Sequence, residues 1–223
     1  MDPAALLEDL DADQRRAVTS PAMPLAILAP AGSGKTLVLT RRIAHRIATG
    51  DAEGDHVLAL TFTRRAATEL VTRLRGVGVR DRLTAGTFHA VALATLRTRW
   101  RDQGRTAPTL VTNRQALVGE VVTAKRSKGG GRRVDADAPR VGPLGLAELT
   151  REIDWASARL VPAEAYLATA AAAGRRTRLP PAMVADVYVA YEGAKRTRRL
   201  VDFDDLLLLT AQAIERDLSL IHI

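Results

Sequence analysis

The chain has 223 residues, 47% hydrophobic and 26% charged, with Lys+Arg 33 against Asp+Glu 25 and a formal net charge of +8. This balance excludes wholesale disorder and collagen-like structure, and the lack of cysteine removes disulfides, Cys-ligated zinc, iron–sulfur clusters and thiol nucleophiles. No run of about 18 apolar residues is free of charge, and the acidic N-terminal segment has no apolar signal core; the expectation is a cytoplasmic protein with no membrane partner.

Only Lys35, Lys125, Lys128 and Lys195 are lysines; every other basic residue is arginine, a planar fork suited to phosphate. The basic surplus points to a polyanion, nucleic acid before membrane. A GC-rich genome that writes arginine for lysine accounts for the composition equally well.

In chain order, residues 1–20 read as a short helix capped by Asp11. LAILA (25–29) is a short apolar run before a glycine-rich turn, which predicts a buried strand. Leu39, Ile43 and Ile47 fall at helical spacing within 35–49, and Gly50 is a stop. A strand is expected over 56–62, a helix over 64–76, a short strand over 83–87 and a helix over 89–100. Such alternation predicts a parallel sheet flanked by helices. From about 105 to 199 no strand is expected. Helical segments over 113–127, 145–158, 162–173 and 180–195, with a basic loop at 125–133, predict an all-helical insertion. Residues 201–217 read as a capped amphipathic helix, and the tail SLIHI (219–223) follows no earlier pattern.

The strongest chemical signal is APAGSGKT, from Ala29 through Pro30, Ala31, Gly32, Ser33, Gly34 and Lys35 to Thr36. The glycines let amide N–H groups turn inward around phosphate oxygens. Lys35 can reach the β- and γ-phosphates, and the Thr36 hydroxyl can ligate Mg²⁺. The helix that follows presents its positive end to the same phosphates. Ala29 replaces the glycine that opens the general G-x-x-x-x-G-K-[ST] pattern. No [NT]KxD segment occurs, which argues against the common kind of guanine reader.

LDADQRRAV (10–18), the APAGSGKT loop, LALTFTRRAATEL (58–70), GTFHAVA (86–92) and VDFDDLLLL (201–209) resemble, in order and spacing, the N-terminal motifs of superfamily 1 DNA helicases of the UvrD/Rep/PcrA type. The similarity spans nearly the whole chain, and WASAR (155–159) with AAAAGR (170–175) looks most like actinobacterial members. The resemblance implies an incomplete RecA-like P-loop domain. Motor domain 1A would occupy 1–104, helical subdomain 1B 105–199, and a return helix into 1A 200–223. It also implies an ATP- and Mg²⁺-dependent 3′–5′ helicase of repair or recombination, acting on single-stranded DNA and its junctions with duplex.

By the same resemblance, Gln14 reads the adenine edge, for which an amide has the matching donor and acceptor. Thr61, Phe62 and Thr63, and Gly86, Thr87, Phe88 and His89, touch single-stranded DNA. Taken alone, Gln14 reads as an exposed helix-start residue, Phe62 as a core residue and His89 as a helix-start histidine. Arg64-Arg65 stand where family members commonly carry Asn-Lys or Asn-Arg, and Leu37 where an arginine often follows the loop threonine. Basic clusters at Arg97/Arg99/Arg101, Lys125–Arg133, Arg175/Arg176/Arg178 and Lys195/Arg196/Arg198/Arg199 would border the DNA, or else form solvated helix faces.

The family's acidic D-E-x-Q-D run is expected about twenty to forty residues after VDFDD, past residue 223. The 223 residues are therefore expected to be an N-terminal fragment, inactive in unwinding alone, whose partner is a second RecA-like domain. Asp202, Asp204 and Asp205 read as helix-capping residues rather than metal ligands. Two alternatives share the motifs: a helicase subunit of an AddAB/RecB-type helicase–nuclease, and a non-catalytic nucleotide- or DNA-binding module. A small-molecule P-loop kinase would leave GTFHA unexplained.

Overall fold

In the computed structural model the described residues are 1–80, 83–128 (backbone only for 126–128) and 142–217. They pack as two compact units, one formed by residues 1–96 with the chain from Thr210 onward, the other by Arg97–Leu209. These limits fall inside two helices, whereas the sequence divisions at 104 and 199 fall beside them.

The first unit opens with a 3-10 turn, Ala5–Leu7, and helix α1, Ala12–Thr19. Asp11 caps α1 by accepting the Gln14 N–H at 2.8 Å, and Gln14 Oε1 accepts the Asp11 N–H at 3.2 Å. This reciprocal box satisfies two donors that a helix start leaves open. The other end of α1 is closed by Arg42 of α2 (Lys35–Ala48), whose Nη1 donates to the carbonyls of Ala17, Val18 and Ser20. Leu37 packs with Leu7 and Ala17 against buried Leu10, Val18 and Val38. An apolar side chain there serves the α1–α2 contact, which accounts for leucine at a position often held by arginine.

Strand β1 (Leu58–Thr61), helix α3 (Arg64–Gly76), strand β2 (Thr84–Thr87) and helix α4 (Phe88–Asp102) follow. β1 and β2 are parallel, with Leu58 opposite Thr84 and Thr61 opposite Thr87. Parallel neighbours need a crossover, and α3 supplies it. Leu70 and Leu74 of α3 are buried with Leu6, Ala44, Ala59 and Val79. Along β1 only Ala59 is buried, while Leu58 and Leu60 face solvent, so one face of this pair is covered.

The strand expected over 25–29 is not formed among the described residues: no ladder reaches it, and Leu28 is 95% exposed. An apolar run becomes a buried strand only where neighbouring strands accept its amides, and among the described residues β1 pairs with β2 alone.

The second unit holds β3 (Thr109–Leu110), α5 (Arg114–Lys128), α6 (Pro143–Ser157), α7 (Tyr166–Ala172), α8 (Pro181–Arg198), β4 (Leu200–Val201) and the first part of α9 (Phe203–Arg216). Its core gathers Leu117, Val118, Leu149, Ile153, Tyr166, Val184, Tyr188 and Tyr191. β3 pairs with β4 in parallel, which corrects the expectation of no strand between 105 and 199. Two residues are too few to display an alternation, so no periodicity betrays them. Of the basic loop expected over 125–133, residues 125–128 instead belong to α5, and the rest, like the SLIHI tail, lies outside the described residues. No described helix is long and apolar enough to cross a membrane.

Candidate phosphate loop and nucleic-acid interface

The loop before α2 is shaped by its glycines. Gly32 and Gly34 have φ of +80° and +79°, a region where a Cβ is disfavoured. The first helical bond runs from Val38 N–H to the Gly34 carbonyl. The amides of Gly34, Lys35, Thr36 and Leu37 donate to no acceptor among the described residues. Four free N–H groups at a helix start carry a fractional positive charge and suit an anion.

Lys35 folds over this turn, its Nζ donating to the carbonyls of Ala29 at 2.9 Å and Pro30 at 2.6 Å. Ser33 Oγ donates to the Pro30 carbonyl at 2.8 Å, which tightens the turn. Thr36 is exposed, and Ala31 faces solvent. A cavity of about 550 Å³ is lined by Gln14, Leu25, Ala29, Pro30, Ser33 and Lys35 among others. Gln14 and the loop, 19 positions apart, thus share one wall, and Gln14 Nε2 donates to the Ser33 carbonyl at 3.3 Å.

A second group forms at the carboxyl ends of β1 and β2, the edge where open α/β sheets place ligands. Thr63 Oγ1 caps α3 by accepting the Ala66 N–H at 3.1 Å, and Thr61 Oγ1 donates to the Thr63 carbonyl at 3.0 Å. Thr87 Oγ1 accepts the Ala90 N–H at 3.2 Å at the start of α4. A Cβ on Gly86 would stand 3.1 Å from Val91 Cγ2, so glycine permits the tight strand-to-helix turn. His89 is half-buried at that turn.

Phe62 is 93% exposed and Phe88 40%, with ring centroids 5.5 Å apart and planes tilted by 37°. The core reading of an isolated Phe62 is therefore wrong: the caps at Thr63 and Thr87 turn the chain so that both rings stay outside. Side by side, the two rings form one exposed apolar patch, a candidate interaction surface.

The acids of VDFDD are engaged internally. Asp202 and Asp205 exchange side-chain-to-amide bonds at 3.0 and 2.9 Å, a capping pair at the start of α9. Lys195 Nζ meets Asp202 at 3.0 Å, Asp205 at 2.8 Å and Glu192 at 2.9 Å. Arg114 reaches Asp202 at 2.9 Å and Asp204 at 2.7 Å, and also binds Asp154. Tyr191 donates to Asp202 at 2.8 Å.

Burial works against the charges of Asp202, Lys195, Arg114 and Glu192. For Asp202, Lys195, the Asp205 amide and Arg114 outweigh it and hold the carboxyl below the usual carboxylate range. For Lys195 and Arg114, the carboxylates overcome burial and raise the pKa of each above its ordinary value. Burial prevails at Glu192, which is pushed up despite Lys195. Lys195 and Arg114 pair with all three aspartates of VDFDD, so these acids serve the fold rather than standing open as metal ligands.

Sequence reasoning missed Arg114 and the burial of Lys195, which it had grouped with a basic surface cluster. Arg175 is likewise occupied: it binds Glu152 through Nε at 2.9 Å and Nη2 at 2.5 Å and lies 4.5 Å from the Trp155 ring centre. Exposed Glu53, Asp55 and His56 carry donor atoms within 4.8 Å of one another, but their 3-10 turn precedes β1, at the opposite end of the strand from Thr61.

The class defined by these elements is an α/β domain with parallel strands joined through helices, as in a partial RecA-like helicase domain. Residues 10–222 match the family described as UvrD/REP helicase N-terminal domain, and the chain belongs to that family. It is 40% identical, over 95% of its length, to the ATP-dependent DNA helicase UvrD2 of Mycobacterium tuberculosis, and equally to that of Mycobacterium bovis. Identity to the ATP-dependent DNA helicase PcrA of Staphylococcus aureus is 31% over 95% of the chain. The chain spans about 30% of the length of the UvrD2 relatives and 27% of PcrA.

Proposed function

We propose that the chain is the N-terminal, nucleotide-binding portion of an ATP-dependent 3′–5′ DNA helicase that translocates on single-stranded DNA and opens duplex in repair or recombination. The observation that carries this is the cluster of four unpaired amides and Lys35 at the Gly32–Gly34 turn, in a chain of the UvrD/REP family. The amides of Gly34 to Leu37 fit a triphosphate, and Lys35 would exchange its two carbonyl partners for β- and γ-oxygens. Gln14 lines the same cavity and would meet the adenine edge. Bound Mg²⁺, with Thr36 Oγ1 as one ligand, would neutralise charge on the β- and γ-phosphates.

Phe62 and Phe88 would stack on bases of the single strand, with Thr61, Thr63, Thr87 and His89 at the adjoining phosphates and Gly86 leaving room for the backbone. Residues 1–104 with 200–223 would form motor domain 1A, and 105–199 subdomain 1B. The partner in hydrolysis would be a second RecA-like domain of the full-length protein. The ammonium of Lys35 is the test. In the full-length protein, Lys35→Ala should lower DNA-stimulated ATP hydrolysis by about 10²–10³-fold, the loss typical of one preorganised charge-stabilising donor. Turnover within a few-fold of wild type would overturn the assignment.

A further inference from the structure

Gln14 touches the phosphate loop directly. Its Nε2 donates to the Ser33 carbonyl at 3.3 Å, while its Oε1 accepts the Asp11 N–H at 3.2 Å. The Ser33 carbonyl takes no helical N–H, since the first backbone bond of α2 ends on Gly34. Among the described residues Gln14 is therefore its partner.

A planar trans peptide points its C=O and its N–H in opposite directions. Drawing the Ser33 carbonyl toward α1 turns the Gly34 N–H away from it, and that N–H is one of the four free donors. The approach is close: a Cβ on Gly34 would stand 2.9 Å from Gln14 Nε2. The amide keeps one further N–H and one further lone pair, so a base could still be met while the tether holds.

We propose that Gln14 is a positioning residue for the phosphate loop. It fixes the Ser33–Gly34 peptide through the Ser33 carbonyl and so raises affinity for the phosphate chain whether or not a base is attached. This rests on the reading of residues 29–36 as a phosphate loop. It assigns Gln14 a second role beside adenine contact, one visible with a ligand that has no base.

The probe is Mg²⁺-tripolyphosphate, titrated calorimetrically into the full-length protein without DNA, beside ATP. Four forms are compared: wild type, Lys35→Ala, Gln14→Met and Asp11→Ala. Gln14→Met keeps length and loses both hydrogen bonds. Asp11→Ala removes the side-chain cap of α1 and leaves the Ser33 tether.

The expected result is tripolyphosphate binding that falls about three- to tenfold in Gln14→Met, as for one net hydrogen bond. It should stay within twofold in Asp11→Ala and be lost in Lys35→Ala. If Gln14→Met binds tripolyphosphate like wild type and loses only ATP affinity, the residue acts on the base alone and the proposal fails, with the phosphate loop intact. If Gln14→Met and Asp11→Ala fall equally, the effect belongs to the helix cap and the tether is refuted. If wild type ignores tripolyphosphate, or Lys35→Ala binds it equally well, the loop assignment fails and takes the proposal with it.

Discussion

Lys195 and Asp202 are 4% and 2% exposed, yet both stay charged, because each is held by partners from several elements. Removing one member of such a set strands the others. Lys195→Met leaves Asp202, Asp205 and Glu192 with Arg114 as the nearest cation, and should destabilise by about 3–5 kcal/mol. Asp202→Asn leaves Lys195 with Asp205 and Glu192 and should cost less. Linkage fixes the pH window. The folded pKa of Asp202 is depressed, so its contribution is present above about pH 4 and is lost as pH falls through the folded value. That of Lys195 is raised, so its contribution is complete below about pH 10 and is lost as pH rises through the folded value. Chemical denaturation should therefore find a stability gap between wild type and Asp202→Asn that is flat from pH 5 to 9 and narrows below about pH 4. A gap that already closes between pH 7 and 5 would contradict this account.

At the scale of elements, the ends of β1 and β2 explain the exposed rings. Each strand stops on a threonine, and threonine caps at Thr63 and Thr87 start α3 and α4 at once. The chain turns too soon for Phe62 to reach the core. Phe62→Ala in the full-length protein should weaken single-stranded DNA binding by about 1–3 kcal/mol, the usual worth of one stacked base, while the melting midpoint hardly moves. A large fall in the midpoint with unchanged DNA affinity would make the ring structural after all.

These elements also mark what the sequence makes legible. α2 and α3 begin and end where glycine turns, threonine caps and helical spacing agree, so their limits are readable to within one residue. Residues 25–29 mislead, because an apolar run reports hydrophobicity and says nothing of its ladder partners. β3 is invisible at two residues. Phe62 misleads because its exposure follows from a cap at the next residue and a strand end beside it, which no isolated phenylalanine reveals. The GSGKT turn is legible down to its positive φ angles because only glycine takes them cheaply.

Across the whole molecule, the +8 charge overstates what is free to meet phosphate. Lys195, Arg114 and Arg175 are bound to the chain's own carboxylates, Arg198 pairs with Glu120 at 2.6 Å, and Arg42 is spent on three carbonyls at the end of α1. Arg176 and Arg178, beside Arg175, are exposed. Cluster membership in sequence therefore does not rank arginines for binding; occupancy does.

Salt dependence separates the two kinds, because every phosphate that a guanidinium neutralises adds a fixed increment of counterion release. In the full-length protein, the joint change Arg176→Ala, Arg178→Ala should flatten the plot of log affinity against log salt by about 0.7–0.9 per arginine. Lys195→Met should leave that slope as it was, because a buried ammonium releases no counterion from DNA. The reverse pattern, a slope that answers to Lys195 and ignores Arg176 and Arg178, would mean that the buried network opens on binding and that these exposed guanidinium groups face only water.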